Sequence, residues 1–199
     1  MTISTRARPL AALLLTAAVA GSVTACATEY HGYDSGIDGV LWRQIASFED
    51  PLSMSVYDPL DETIGILHTM IPEQYPAAVS DPAVYLAGVV GERWDGTAGS
   101  LPELGLEEGG AILYDVTSTE SVAAFSTFIA SGPRPNAPTD AGSTYTGPSE
   151  VYTCYSVEVD FRTDVPPRPI RTAFTECPAE LVELLADDAA FASAEVFDG

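Results

Sequence analysis

Tyr155-Ser156-Val157-Glu158-Val159-Asp160-Phe161-Arg162 alternates apolar and polar side chains without interruption. In an extended chain successive side chains point to opposite faces. This stretch therefore predicts a strand with Tyr155, Val157, Val159 and Phe161 on one face and Ser156, Glu158, Asp160 and Arg162 on the other. Ile170 and Phe174 begin a matching alternation downstream. If Cys154 stands opposite Cys177 across an antiparallel hairpin, Val157 faces Phe174, Phe161 faces Ile170 and Asp160 faces Arg171. Apolar meets apolar and acid meets base, at roughly 0.2 to 1 kcal/mol per pair. A slip by one residue would mix the faces. The reversal is expected in Asp164-Val165-Pro166-Pro167, where prolines remove no ladder hydrogen bond. Both cysteines would then lie on the polar face, near the surface.

Outward from the hairpin, Pro178 suits a first helical position, and Leu181, Leu184, Leu185 and Phe191 predict a closing amphipathic helix. Residues 132–150, with Pro133, Pro135, Pro138 and Pro148, read as a surface loop, because too little chain follows for a second domain. Thr117 and Glu120 have capping-box spacing. With Val122, Phe125 and Ile129 they predict a helix that Gly132-Pro133 ends. The near-continuous apolar runs Ala83 to Val90 and Ala111 to Val116 predict strands covered on both faces. Val40, Leu41, Ile45 and Phe48 recur at helical spacing, as do Ile64, Leu67 and Ile71 before Pro72. The expected architecture is a single α+β domain over residues 40–199. It has an antiparallel or mixed sheet, helices packed on one face, and a C-terminal hairpin followed by a helix.

The other end of the chain reads as an address. Arg6 and Arg8 precede Leu10 to Ala20, which is apolar apart from Thr16, and small residues fill Gly21 to Ala25. Gly21, Ser22 and Thr24 interrupt the run well short of the roughly 20 apolar residues that span a bilayer. Val23-Thr24-Ala25-Cys26 resembles the lipobox of bacterial prolipoproteins. The resemblance covers residues 1–26 and implies a signal peptide over residues 1–25, cut before a Cys26 that carries a diacylglyceryl group. Each buried methylene of its palmitate-like chains contributes about 0.8 kcal/mol, and two chains make the attachment lasting where one does not. Cleavage after Ala25 by an ordinary signal peptidase is the alternative. Residues 26–39, glycine-rich with Tyr30, His31 and Tyr33, read as a flexible tether. The chain holds three cysteines, so lipidation of Cys26 leaves Cys154 and Cys177 as a disulfide pair. Export favours the oxidised form, and closing the loop contributes about 3 kcal/mol in the chain-entropy model. Zinc is the competing use, but two thiolates without nearby histidines make a poor four-ligand site.

The formal net charge is −21, every acidic residue follows the signal, and all eight cations are arginines. Such a surface repels nucleic acid and anionic membrane, which leaves the lipid to hold the chain. Without lysine there is no Schiff-base nucleophile, no phosphate-loop lysine and no Ser-Lys machinery. Neither a Gly-x-Ser-x-Gly elbow nor a His-Glu-x-x-His motif occurs. His31 falls in the tether, and His68 lies in an apolar helical stretch that favours a packed or surface role. Asp34 and Asp38 before Gly39 fall short of an EF-hand loop. No metal or cofactor is expected, and the absence of a twin-arginine signal argues against a group assembled in the cytosol. The 29 acidic residues offer no basis for choosing a catalytic carboxylate pair. Trp42, Trp94, Tyr114, Tyr152 and Tyr155 suit a core better than a ligand groove.

The expected function is that of a lipid-anchored extracytoplasmic lipoprotein, held to the membrane by Cys26, that binds an envelope protein or small ligand without catalysis. Two alternatives differ in class. One is a carboxylate-dependent cell-wall glycan hydrolase. The other is a structural or immunity-type envelope protein whose acidic face blocks a basic partner.

Overall fold

A computed structural model of the chain describes residues 39–74, 79–101, 104–136, 145–162 and 166–194. The signal segment, Cys26, His31, Asp34, Asp38 and the Asp164-Val165 part of the expected turn lie outside them.

Helix α1, Gly39–Tyr57, buries Leu41, Ile45, Leu52 and Val56 along one stripe. Each such side chain contributes about 1.5 to 3 kcal/mol when removed from water. Pro51 sits inside α1 and lacks the amide that would otherwise donate to the Ser47 carbonyl. A short 3-10 turn, Asp58–Leu60, leads into helix α2, Glu62–Met70, where the Asp61 carboxylate accepts from the Thr63 amide at 2.7 Å. Both helices stand where their apolar spacing placed them, although α2 ends at Met70 and leaves Ile71 outside it.

Helix α3, Pro82–Gly88, replaces the strand expected over Ala83 to Val90. The Asp81 carboxylate caps it by accepting from the Val84 amide at 2.9 Å, and Pro82 pre-sets the first helical dihedral. A cap directly before a proline outweighs a continuous apolar run.

The sheet contains β1 (Glu92–Arg93), β2 (Gly110–Ser118), β3 (Val122–Ala130), β4 (Val151–Asp160), β5 (Pro169–Ala173) and β6 (Ala190–Phe191). Its order is β1-β2-β3-β4-β5, with β6 paired to the start of β4. The β1–β2 and β4–β6 pairs are parallel and the others antiparallel, so the sheet is mixed and the fold is α+β. Strand β2 fulfils the expectation for Ala111 to Val116. Strand β3 overturns the helix expected after Thr117. Its Phe125 and Ile129 face α1, while Phe128 and Ala130 face the opposite core. A central strand buried on both sides satisfies apolar positions at helical spacing as readily as a helix does. Thr119, rather than Thr117, organises the β2–β3 turn, its hydroxyl accepting from the Val122 amide at 3.0 Å. At the other end of this pair, Gly109 and Gly132 both have positive φ (84° and 70°). A Cβ on Gly109 would lie 2.6 Å from the Gly132 amide nitrogen, so only glycine allows the two backbones to pass this closely.

The β4–β5 hairpin exists, but its register is Tyr155 opposite Ala173, Val157 opposite Arg171 and Glu158 opposite Ile170. This lies three residues from the expected pairing, and an odd shift exchanges the faces. Ile170 is 62 % exposed, whereas the Arg171 side chain turns inward to a carboxylate on α1. The Cys154–Cys177 disulfide is present, with a Cα–Cα separation of 5.8 Å, yet it is no cross-strand pair. The Phe174 amide donates to the Cys154 carbonyl at 3.2 Å, and Cys177 lies beyond the end of β5. Cys154 is fully buried rather than near the surface.

The C-terminal helix is also shorter than expected. Helix α4 spans Ala179–Val182, Leu181 alone of its residues is buried, and Leu184 is exposed. Phe191 belongs to β6, because Ala190 and Ala192 donate their amides to Glu150 and Tyr152 of the β4 region at 3.0 and 2.8 Å. Helices α1 and α3 pack on the face that carries Leu113, Ile129 and Val157. Leu181 of α4 packs on the other face with Ile112, Phe128 and Cys154, so the helices do not all share one side.

Candidate functional site

Helix α2 has the sequence Glu62-Thr63-Ile64-Gly65-Ile66-Leu67-His68-Thr69-Met70, and none of its residues is buried. Of the stripe expected from the sequence, Ile64 and Leu67 are half-buried but Ile71 lies past the helix end and is exposed, and Ile66 and Met70 are 61 % and 72 % exposed. Residues four apart stand one above the other on a helix, so Ile66 and Met70 share a face. Met54 and Tyr57 near the end of α1 are exposed as well. The outward face of α2 thus mixes Ile66 and Met70 with Glu62, Thr63 and Thr69 rather than being wholly polar, as the solvent face of an amphipathic helix usually is. Sequence reasoning did not single out Ile66 and Met70; the one signal the sequence held is that both fall between the residues of the expected inward stripe.

Asp50, Asp58, Asp61, Glu62 and Glu73 lie in and beside these segments, all exposed. From Gln44 to Glu92 the chain contains no arginine or lysine. The apolar shoulder formed by the end of α1, the 3-10 turn and α2 therefore belongs to a wholly anionic stretch of chain.

The single acid of α1 that is buried, Glu49, belongs to a different arrangement. Its carboxylate receives the Arg171 guanidinium at 3.4 Å, and the two side chains are 9 % and 11 % exposed. Arg171 stacks over the Tyr155 ring, 3.7 Å from its centre, and donates to the Ala194 carbonyl at 3.0 Å. The Tyr155 hydroxyl reaches Glu49 at 3.5 Å. Burial pushes the Tyr155 phenol above its ordinary value, with Arg171 opposing and Glu49 reinforcing the rise. This cluster joins α1 to β4, β5 and the C-terminal segment, and its enclosure between helix and sheet suits a fastening rather than a reaction centre.

Two concave regions flank the β1 edge. One is a cleft of about 400 Å³ walled by Phe48, Pro51, Val90, Leu106 and Ile112, with the Glu92 carboxylate at its margin accepting from the Gly105 amide at 3.2 Å. The other, of about 390 Å³, is lined by Arg93, Trp94, Asp95 and Asp115. Asp115 is the one non-glycine residue with positive φ (52°) among those described, and it sits in the β-bulge that shifts the β2–β3 register between Tyr114 and Thr117. Hydrogen bonds from Ser100 and Thr97 pull the Asp95 carboxyl down to about 2. Asp160 and Asp188 are also held below the usual carboxylate range, by Arg162 and Ser149 respectively. A general acid needs the opposite shift, so these three carboxylates are fixed acceptors rather than proton donors.

Of the aromatic residues singled out in the sequence, Trp94, Tyr114 and Tyr155 are buried, and Trp42 and Tyr152 are partly buried against the cores. His68 is half-buried on α2. Among the described residues no group of three or more His, Cys, Asp or Glu side chains is placed to hold a metal ion. No described helix is long and apolar enough to cross a membrane. No known protein family, curated protein or solved structure matches the chain.

Proposed function

We propose that this protein is a lipid-anchored extracytoplasmic lipoprotein that binds a partner protein through the α1–α2 shoulder. The observation that carries the reading is helix α2, whose apolar side chains have no buried member and whose Ile66 and Met70 face solvent. Single exposed apolar side chains such as Val84 are ordinary, but Ile66, Met70 and Ile71 cluster within six residues, and clustered apolar surface is where another molecule binds. Two methionines, Met54 and Met70, give that surface adaptable, polarisable side chains. The lipobox-like Val23-Thr24-Ala25-Cys26 supports the anchored location.

The test has two parts. Mass spectrometry of the membrane fraction should find a diacylglyceryl group at the mature N-terminus on Cys26, and Cys26→Ala should release the protein from that fraction. A photo-crosslinking residue at position 70 should trap one defined envelope protein, while the same residue at exposed Val84 of α3 traps none. Equal labelling at both positions, or none at position 70, ends the partner reading.

A second reading rests on the cleft beside β1. Its volume of about 400 Å³ and its Phe48, Pro51, Val90 and Leu106 walls suit a small apolar ligand.

A further inference from the structure

We infer that the occupant of the α1–α2 shoulder is a protein segment that is at once apolar and cationic, of the kind presented by one face of a basic amphipathic helix. The inference rests on the partner reading above and adds the chemistry of the partner.

The apolar component follows from the exposed side chains. Ile66 and Met70 form an i, i+4 pair of knobs, with Ile71 exposed just past the end of the helix and Met54 and Tyr57 exposed on the preceding helix. Spacings of this kind seat one helix against the groove of another.

The cationic component follows from what accompanies them. Asp58 stands in the 3-10 turn, Asp61 and Glu62 at the start of α2, Glu73 just past its end and Asp50 on α1, every one exposed. Asp61 is occupied as the α2 cap. The others are available to meet positive charge at the rim of a buried apolar contact, where charge sets partner choice and encounter rate more than affinity. The absence of any arginine or lysine from Gln44 to Glu92 means that this surface offers a partner's acids nothing from its own segment.

Charge also ranks the other occupants lower. A second copy of the chain would bring these same carboxylates together, and like charges across an interface cost affinity. A net charge of −21 likewise opposes seating α2 on an anionic bilayer.

The probe is a synthetic leucine/lysine peptide that forms an amphipathic helix of about five turns, titrated by calorimetry into the mature chain carrying Cys26→Ser. Saturable one-to-one binding is expected, weakened at least tenfold by the double substitution Ile66→Ser/Met70→Ser and less than twofold by Val84→Ser. Asp58→Asn/Glu62→Gln/Glu73→Gln should weaken it severalfold and flatten its salt dependence. A leucine/glutamate helix of equal length should not bind. Amide exchange on the complex should show protection over residues 62–71.

Equal affinity of the Ile66→Ser/Met70→Ser variant for the peptide, or equal binding of the leucine/glutamate helix, overturns the inference. Binding of the mature chain to lipid vesicles through α2, or dimerisation abolished by Ile66→Ser, would assign the shoulder to a membrane or a second copy instead. A crosslink from position 70 to an envelope protein, together with no binding of the leucine/lysine peptide, would sink the cationic chemistry and leave the partner reading standing. Loss of the crosslink ends both.

Discussion

One face of the sheet is closed by the 19-residue helix α1, the short helix α3 and a buried ion pair. The opposite face is closed by the four-residue α4, irregular chain and a disulfide. The first face gathers Leu41, Ile45, Leu52, Ile129, Val151 and Val157 into one core, which long helical stripes can supply by themselves. The second gathers Trp94, Ile112, Phe128, Cys154 and Leu181 from short pieces that bury little each. Short pieces gain little from their own helical cooperativity, so a covalent link between Cys154 and Cys177 does there what α1 does on the other side.

The largest effect is expected where the helix-covered face is fastened. Arg171→Met leaves the Glu49 carboxylate buried without this guanidinium and should cost about 3 to 5 kcal/mol of unfolding free energy in urea titrations. The double substitution Glu49→Leu/Arg171→Met should recover most of that loss, because an apolar pair of similar size removes both desolvation costs. If the double variant is as unstable as the single one, the pair is not what fastens α1 to β5.

Cys154→Ala/Cys177→Ala should cost about 3 kcal/mol, the chain entropy of closing a loop with sequence separation 23. Hydrogen exchange should then rise first in α4 and β6 and leave the amides of α1 protected. Equal loss of protection on both faces would show that they open together, and the contrast drawn above would fail.

The smallest effect concerns pH. Asp188 accepts from the Ser149 hydroxyl and amide, which lowers its carboxyl pKa in the folded chain and ties the loop before β4 to the segment before β6. A group with a lowered folded pKa contributes stability that is present above its unfolded value near 3.9 and is lost as pH falls through the folded one. Thermal midpoints should therefore decline below about pH 4, and Asp188→Asn should reduce that slope. An unchanged slope would assign the acid sensitivity to Asp95 and Asp160, which are shifted in the same direction.

Several elements were legible because their signal is local. The alternation from Tyr155 to Arg162 specifies an extended chain, and β4 covers it through Asp160. The apolar spacing of Leu41 and Ile45, and of Ile64 and Leu67, specifies α1 and α2. At Val122, Phe125 and Ile129 the same kind of signal misleads, since a strand with both faces buried shows no polar side to reveal its period. At Ala83 to Val90 the decisive residues, Asp81 and Pro82, stand just at the start of the run. The uncovered face of α2 was written in Ile66 and Met70, but a sequence does not say which apolar residues the rest of the fold will reach.

The sequence by itself determined the extended period of β4 and the helical period of α1 and α2, and it paired Cys154 with Cys177. Only the tertiary structure decided the β4–β5 register, the strand state of β3 and of Phe191, and the exposure of α2. The reason lies in distance along the chain. Periodicity depends on neighbours a few residues apart, whereas Arg171 turns inward because a carboxylate 122 residues earlier waits on α1 to meet it. A buried charge without its partner costs several kcal/mol, enough to outweigh the few tenths of a kcal/mol per cross-strand pair that favoured the other register.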